Sequence, residues 1–216
     1  MTIPGFYDAV QPLSAEEREN LNQFGITDPQ LLDATGSPAT TGEAGFTTPE
    51  RCGARPTLDV NGLVSGYTGE GSATIIPARA LAKVSMRLVG DQDPEHISKA
   101  FDETIRQRCP DTVKLTIRDF AHAGAYLGPT DSPGMRAAIK ALAESFGQKP
   151  ALTREGGTLP ILPLFKEVLG ADSLMLGFSV PECNLHSPNE FFHVADFEAG
   201  TRCILRFLEE IATNQT

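Results

Sequence analysis

The passage from Lys83 to Arg108 constrains this 216-residue chain most. Val84, Met86 and Leu88 alternate with Lys83, Ser85 and Arg87, the period of a strand with one packed face and one polar face. Arg87 falls on the polar face. Asp93 then reads as an N-cap with Pro94 in the first helical position, and Ile97, Phe101 and Ile105 recur at helical spacing up to about Arg108. A strand that gives way to an amphipathic helix this quickly calls for a sheet with a helix laid on it.

Neighbouring residues extend that sheet. Leu58 and Val60 alternate with polar residues, Asn61-Gly62 is a two-residue turn signal, and Leu63-Val64-Ser65-Gly66-Tyr67 follows, so a hairpin is expected there. Val113, Leu115 and Ile117 alternate with Lys114, Thr116 and Arg118 and predict a further strand. A small antiparallel sheet with a helix on one face then accounts for Pro56 to about Phe120. Upstream, Ile3 to Tyr7 reads as an extended apolar segment that needs something to pack against. Ser14-Ala15-Glu16-Glu17 is a capping box opening a short helix toward Phe24-Gly25. From about Asp33 to Arg55 the density of Gly, Thr, Pro and Ala predicts a long connection.

The last third changes character. Ser132-Pro133 opens an amphipathic helix with Met135, Ile139, Leu142 and Phe146 on one side, closed by Gly147. Residues 151–158 lead into a helix bearing Ile161, Leu164, Phe165 and Val168, which puts a Gly-Gly turn at a helix N-terminus, where exposed amides suit an anion. Leu174 to Phe178 reads as a buried strand, and a final helix from Asp196 is expected to turn Phe197, Ile204, Leu208 and Ile211 inward. Alternating strands and helices make the fold class α/β. Between them lies Asn184-Leu185-His186-Ser187-Pro188-Asn189-Glu190, at the rim where open α/β sheets carry ligand sites. An imidazole there can bind a divalent zinc through one nitrogen while Asn184, Ser187 or Glu190 holds the other, or it can be a hydrogen-bonded loop histidine.

Composition narrows the function. The net charge of -10 and pI of about 4.8 weigh against nucleic acid or an anionic membrane as partner. No apolar run reaches the ~20 residues that span a bilayer, and the N-terminus lacks a basic region followed by an apolar one, so a cytoplasmic location is expected. Cys52, Cys109, Cys183 and Cys203 form no C-x-x-C pair and read as small hydrophobes.

Several stretches in order carry a family resemblance: Ile3-Pro4-Gly5-Phe6-Tyr7-Asp8, Arg55-Pro56-Thr57-Leu58, Thr74-Ile75-Ile76-Pro77 with Arg87-Leu88-Val89, Arg154-Glu155-Gly156-Gly157-Thr158-Leu159-Pro160, and Asn184 to Glu190. Together they resemble the carnosinase-like branch of the dinuclear zinc peptidases, relatives of aminoacylase and succinyl-diaminopimelate desuccinylase. The resemblance implies an α/β catalytic domain interrupted by a smaller lid that also forms a homodimer. Residues 1–130 match the lid, incomplete at its N-terminal side, and residues 131–216 match the closing segment of the catalytic domain. In such enzymes two zincs share a bridging water, a glutamate is the general base, and most metal ligands come from the earlier half of the sequence.

By that resemblance His186 is a zinc ligand with Asn184 and Glu190 behind it, and Arg87 holds a substrate carboxylate with its planar guanidinium. Thr74, Gly156, Gly157 and Thr158 line the same substrate cleft. Arg154 and Glu155 either pair with each other or orient the cleft. No catalytic residue is assigned. The chain has no H-x-D motif, Glu209-Glu210 reads as a solvated face, and His96 and His122 are not drafted to replace the lid histidine that the resemblance implies. One histidine cannot hold a catalytic zinc, which needs about three protein ligands. The resemblance therefore implies part of a hydrolase of dipeptides or N-acyl amino acids, and the chain alone is expected to be inactive. The alternatives are a dimerisation or association module, a truncated gene product, or a site completed by a separately encoded N-terminal catalytic part.

Overall fold

The strand and helix around Arg87 form as their periodicity requires. The computed structural model describes residues 3–156 and 159–213. In it the chain divides into two units, Met1–Leu127 with Thr153–Pro163, and Gly128–Leu152 with Leu164–Thr216.

The first unit begins with α1 (Ala15–Phe24), whose capping box closes as expected: the Glu17 amide donates to Ser14 Oγ at 3.1 Å, and the Ser14 amide donates to Glu17 Oε2 at 2.8 Å. Helix α2 (Asp28–Thr35) runs into the start of the expected long connection from about Asp33, and α3 (Thr48–Ala54) interrupts it. The Pro29 and Pro49 rings sit in first turns, where no amide is needed. Antiparallel strands β1 (Thr57–Ser65) and β2 (Ala80–Arg87) follow. The Asn61-Gly62 turn does not form. The register passes from Val60 opposite Val84 to Gly62 opposite Lys83, so Asn61 is the extra residue of a bulge inside a continuous β1, and the chain reverses through residues 66–79 instead. Helix α4 (Pro94–Arg108), capped by Asp93, lays Ile97 against this sheet.

Here lies the first unit's core. Ile3, Phe6 and Ile97 are buried, and Tyr7, Leu58, Met86, Leu88, Ala100 and Phe101 pack around them. Each such side chain contributes roughly 1.5–3 kcal/mol when fully buried. The Ile3–Tyr7 segment has found its partner, though as turns rather than an extended run, with the Phe6 amide donating to the Ile3 carbonyl at 3.2 Å. Arg55 clamps the neighbouring loop: its guanidinium lies 4.3 Å from the Phe46 ring centre and 5.0 Å from that of Tyr7, and donates to both Glu43 oxygens at 2.8 Å. The strand expected at Val113 to Arg118 is absent. Leu115 and Ile117 keep the half-buried side of an alternating pattern, but no neighbouring strand supplies a ladder.

Helix α5 (Pro133–Phe146) begins the second unit's regular structure. Ser132 Oγ accepts from the Met135 amide at 3.1 Å, and Gly147 closes the helix with φ +73°. Helix α6 (Ile161–Leu169) starts in the first unit's stretch and ends in the second's, with Ile161, Leu164, Phe165 and Val168 all exposed. Helix α7 (Val194–Thr213) packs on α5. Its inward face is not the expected one. Ala199, Gly200 and Cys203 are buried, Ile211 is half-buried, and Phe197, Ile204 and Leu208 are exposed. Leu174 to Phe178 also differs from expectation, being unpaired and half-buried at alternate positions, with Phe178 stacked on Phe146 at 5.9 Å. Among the described residues no helix is long and apolar enough to cross a membrane.

Candidate functional site

Arg87 is the last residue of β2, on the polar face opposite the core. Its Nη1 donates to the carbonyl oxygen of Gly156 at 3.2 Å, across 69 positions of sequence. Two residues singled out separately are thus neighbours. Gly157 and Thr158 lie outside the described residues. Thr74 is exposed in the connection between β1 and β2.

Close backbone approach explains why glycine stands at 156. The Cys52 carbonyl oxygen lies 2.2 Å from the place a Gly156 β-carbon would take, and the Arg154 carbonyl oxygen lies 2.3 Å from that of Gly53. The segment before residue 157 therefore runs directly on the α3 backbone, and a methyl group at either point would collide. Arg154 does not pair with Glu155. Its Nε and Nη2 donate to Glu17 Oε1 at 2.7 and 2.6 Å, an interaction with no local sequence signal because 137 positions separate the two.

In the second unit the residues 184–190 form an excursion closed at its base, where the Phe191 amide donates to the Cys183 carbonyl at 3.1 Å above a fully buried Cys183 thiol. Asn184, His186 and Asn189 have φ of +53°, +59° and +61°. Non-glycine residues seldom adopt that region, Asn and His more readily than most, and three within six positions make a tightly prescribed loop. The Ser187 amide donates to the Asn184 carbonyl at 3.0 Å. His186 and Glu190 are exposed.

Among the described residues no three His, Cys, Asp or Glu side chains stand where they could hold a metal ion together. Two of the acidic and imidazole groups weighed in the sequence are paired elsewhere. Glu210, expected to be solvated, is half-buried and paired with Lys140 on α5, while Glu209 is exposed. His122 lies between two carboxylates, Nδ1 at 2.7 Å from Glu95 and Nε2 at 2.8 Å from Asp119, and hydrogen bonds to both raise its pKa. All four cysteines are free, Cys183 and Cys203 buried as expected and Cys52 exposed.

The profile described as peptidase family M20/M25/M40 matches residues 8–210. The chain is 28% identical over 216 residues to the Cys-Gly metallodipeptidase DUG1 of Candida albicans, covering 95% of this chain and 43% of that protein. It is 25% identical to the human Beta-Ala-His dipeptidase, covering 97% of this chain and 42% of the relative. Among solved structures, an M20 family metallo-carboxypeptidase from Sulfolobus solfataricus superposes with a TM-score of 0.81 at 30% identity, over 95% of this chain and 47% of that one. The chain spans less than half the length of the relatives it matches.

Proposed function

The chain belongs to peptidase family M20/M25/M40, in its carnosinase-like branch, and we propose that it is the lid and closing segment of a metal-dependent peptidase acting on dipeptides or N-acyl amino acids. Residues 1–130 serve as the lid and homodimer interface, and residues 131–216 close the catalytic domain. The observation that carries this reading is the Arg87 guanidinium held against the Gly156 carbonyl. It sets a cation, shaped for two-point carboxylate binding, beside Gly156, the first residue of the Gly156-Gly157-Thr158 stretch in the sequence. In this reading Arg87 takes the substrate carboxylate, and Thr74, Gly156, Gly157 and Thr158 line the cleft. Four free thiols suit the reducing cytoplasm the reading implies.

A catalytic zinc needs about three protein ligands. His186 is the one ligand this reading assigns, with Asn184 and Glu190 to orient it, and among the described residues no three donors stand together, so the donor set does not fit a complete metal centre. No hydrolytic step is assigned to these residues. In the complete peptidase the metal would activate the attacking water, and the remaining ligands and the general base come from polypeptide other than these 216 residues. The 216-residue polypeptide with excess zinc is expected to show no turnover of Cys-Gly or Beta-Ala-His. Zinc-dependent hydrolysis that disappears in His186→Ala would overturn this.

A second reading, an association module without catalysis of its own, is favoured by one observation. Val194, Phe197, Leu205 and Leu208 of α7 are all more than half exposed, an apolar stripe of the kind that marks interaction surfaces. Light scattering decides: a monomer that binds no hydrophobic dye speaks against it.

A further inference from the structure

Glu17 uses its two carboxylate oxygens for different partners. Oε2 accepts from the Ser14 amide at 2.8 Å, which is all that the capping box of α1 requires. Oε1 accepts the Nε and Nη2 groups of Arg154 at 2.7 and 2.6 Å. Both side chains are largely buried, 26% and 14% exposed, so the pair is shielded from solvent more than a surface ion pair would be. Arg154 belongs to the short segment whose backbone touches α3 twice without room for a methyl group, through its own carbonyl at Gly53 and through Cys52 at Gly156. The Gly156 carbonyl then receives Arg87 Nη1.

A continuous line of contacts thus runs from the first turn of α1 to the end of β2. We infer that Glu17 is a positioning residue: through Arg154 it sets where the segment 154–156 lies, and so where the Arg87 guanidinium points for a substrate carboxylate. The inference rests on the reading of Arg87 given above and adds a residue 70 positions upstream of it. Neither Glu17 nor Arg154 need touch a substrate. Their role is the direction and rigidity of a group that does, which in a preorganised site matters as much as the group itself.

A cap role and a positioning role make different demands on Glu17, and two variants separate them. Glu17→Gln keeps an oxygen that can accept from the Ser14 amide but removes the charge that binds Arg154. Ser14→Ala removes half of the capping box and leaves the ion pair untouched. Side-chain nitrogen resonances of Arg87 and the carbonyl carbon resonance of Gly156 report the contact directly, with glycylglycine as carboxylate probe and circular dichroism as the check on folding. In Glu17→Gln both resonances are expected to move, with glycylglycine affinity weakened at least about tenfold, as for one charge-assisted hydrogen bond. In Ser14→Ala they are expected to stay. Arg154→Lys, which keeps the charge without the two-pronged fork, falls between. Unchanged Arg87 and Gly156 resonances in Glu17→Gln, or equal displacement in Ser14→Ala, overturn the inference. Should the wild-type Arg87 resonances ignore glycylglycine while still responding to Glu17→Gln, the carboxylate reading has failed and the Glu17 linkage has not.

Discussion

The carbonyl oxygen of Cys52 stands 2.2 Å from where Gly156 would carry a β-carbon, so the α3 backbone and the turn segment are in contact with no side chain between them. Gly156→Ala must push one backbone away from the other. A misfit of this kind costs about 1–3 kcal/mol, and the displaced carbonyl also leaves Arg87. Thermal unfolding should show the loss of stability. Gly53→Ala, with the Arg154 carbonyl 2.3 Å from its new methyl group, should behave the same way. A melting temperature unchanged in both variants would show that the two backbones slide apart freely.

Glu50 is 2% exposed, the most enclosed carboxylate of the first unit's described residues. Its Oε1 accepts from Arg18 at 2.9 Å and from Asn22 at 3.1 Å, and its Oε2 from the Thr47 amide at 3.0 Å. It therefore ties α1 to α3 and caps α3 at once. Glu50→Ala strands three donors, one of them a helix-terminal amide. Since Arg18 is 42% exposed and can rehydrate, the expected loss is about 2 kcal/mol rather than that of a fully buried pair. Glu50→Gln should also destabilise, because its new amide group faces donors. Denaturant unfolding of the two variants measures both effects.

His122 makes stability depend on pH in a direction that can be stated beforehand. Its ring nitrogens face Glu95 and Asp119, and Ser98 Oγ donates to the same Asp119 oxygen at 2.5 Å. Both ring nitrogens can donate only in the protonated imidazole, whose folded-state pKa these hydrogen bonds raise. A raised pKa means that the stabilisation is fully present below the unfolded value of about 6.5 and disappears as pH rises through the folded value. Melting temperature should thus decline from mildly acidic toward alkaline pH more steeply in the wild type than in His122→Gln. Parallel profiles would remove His122 from the account.

Glu17 carries the opposite sign. Burial pushes its carboxyl up, but hydrogen bonds from Ser14 and Arg154 outweigh burial and leave it lowered. A lowered carboxylate pKa contributes stability above the unfolded value, about 4.3, that is lost as pH falls through the folded value. The acid limb of the wild-type unfolding profile should therefore be steeper than that of Glu17→Gln. An identical acid limb would mean that the Arg154 pair does not persist in solution.

Where local chemistry decides the structure, the residues state it in advance. Alternation at Val84, Met86 and Leu88, the Asp93 and Ser132 caps, and Gly147 were all legible because each acts within a turn or a few strand positions. Asn61-Gly62 misled because a two-residue turn and a bulge attract the same residues, and only the partner strand tells them apart. Helix α3 carries Thr47, Pro49 and Glu50 as a start signal, hidden among Gly and Thr that also suit a loop. The strand-like runs at 113–118 and 174–178 hold their alternation, but a ladder needs a neighbour, which no single segment can announce. At the candidate site, Arg87 was visible from its face of β2. Its contact with Gly156 and the Glu17 link to Arg154 depend on chain positions 69 and 137 apart, beyond any local pattern.

Helix α7 shows the difference between apolar and buried. Its large residues Phe197, Leu205 and Leu208 face outward, while Ala199, Gly200 and Cys203 are buried, as are Ala137, Ala138 and Ala141 of its partner α5. Small residues let two helices approach closely, and Phe178 fills what remains, its ring 3.1 Å from where a Gly200 β-carbon would lie. The two faces should therefore respond oppositely to substitution. Ala141→Leu inserts bulk at a fully buried position between the two helices, and should cost about 1–3 kcal/mol. Leu208→Glu places a charge where the native side chain is already 57% exposed. It should change stability by less than about 0.5 kcal/mol while reducing dye binding and self-association. Sedimentation and thermal unfolding of both variants test this, and a large stability loss in Leu208→Glu would show that the outward face of α7 is covered in solution.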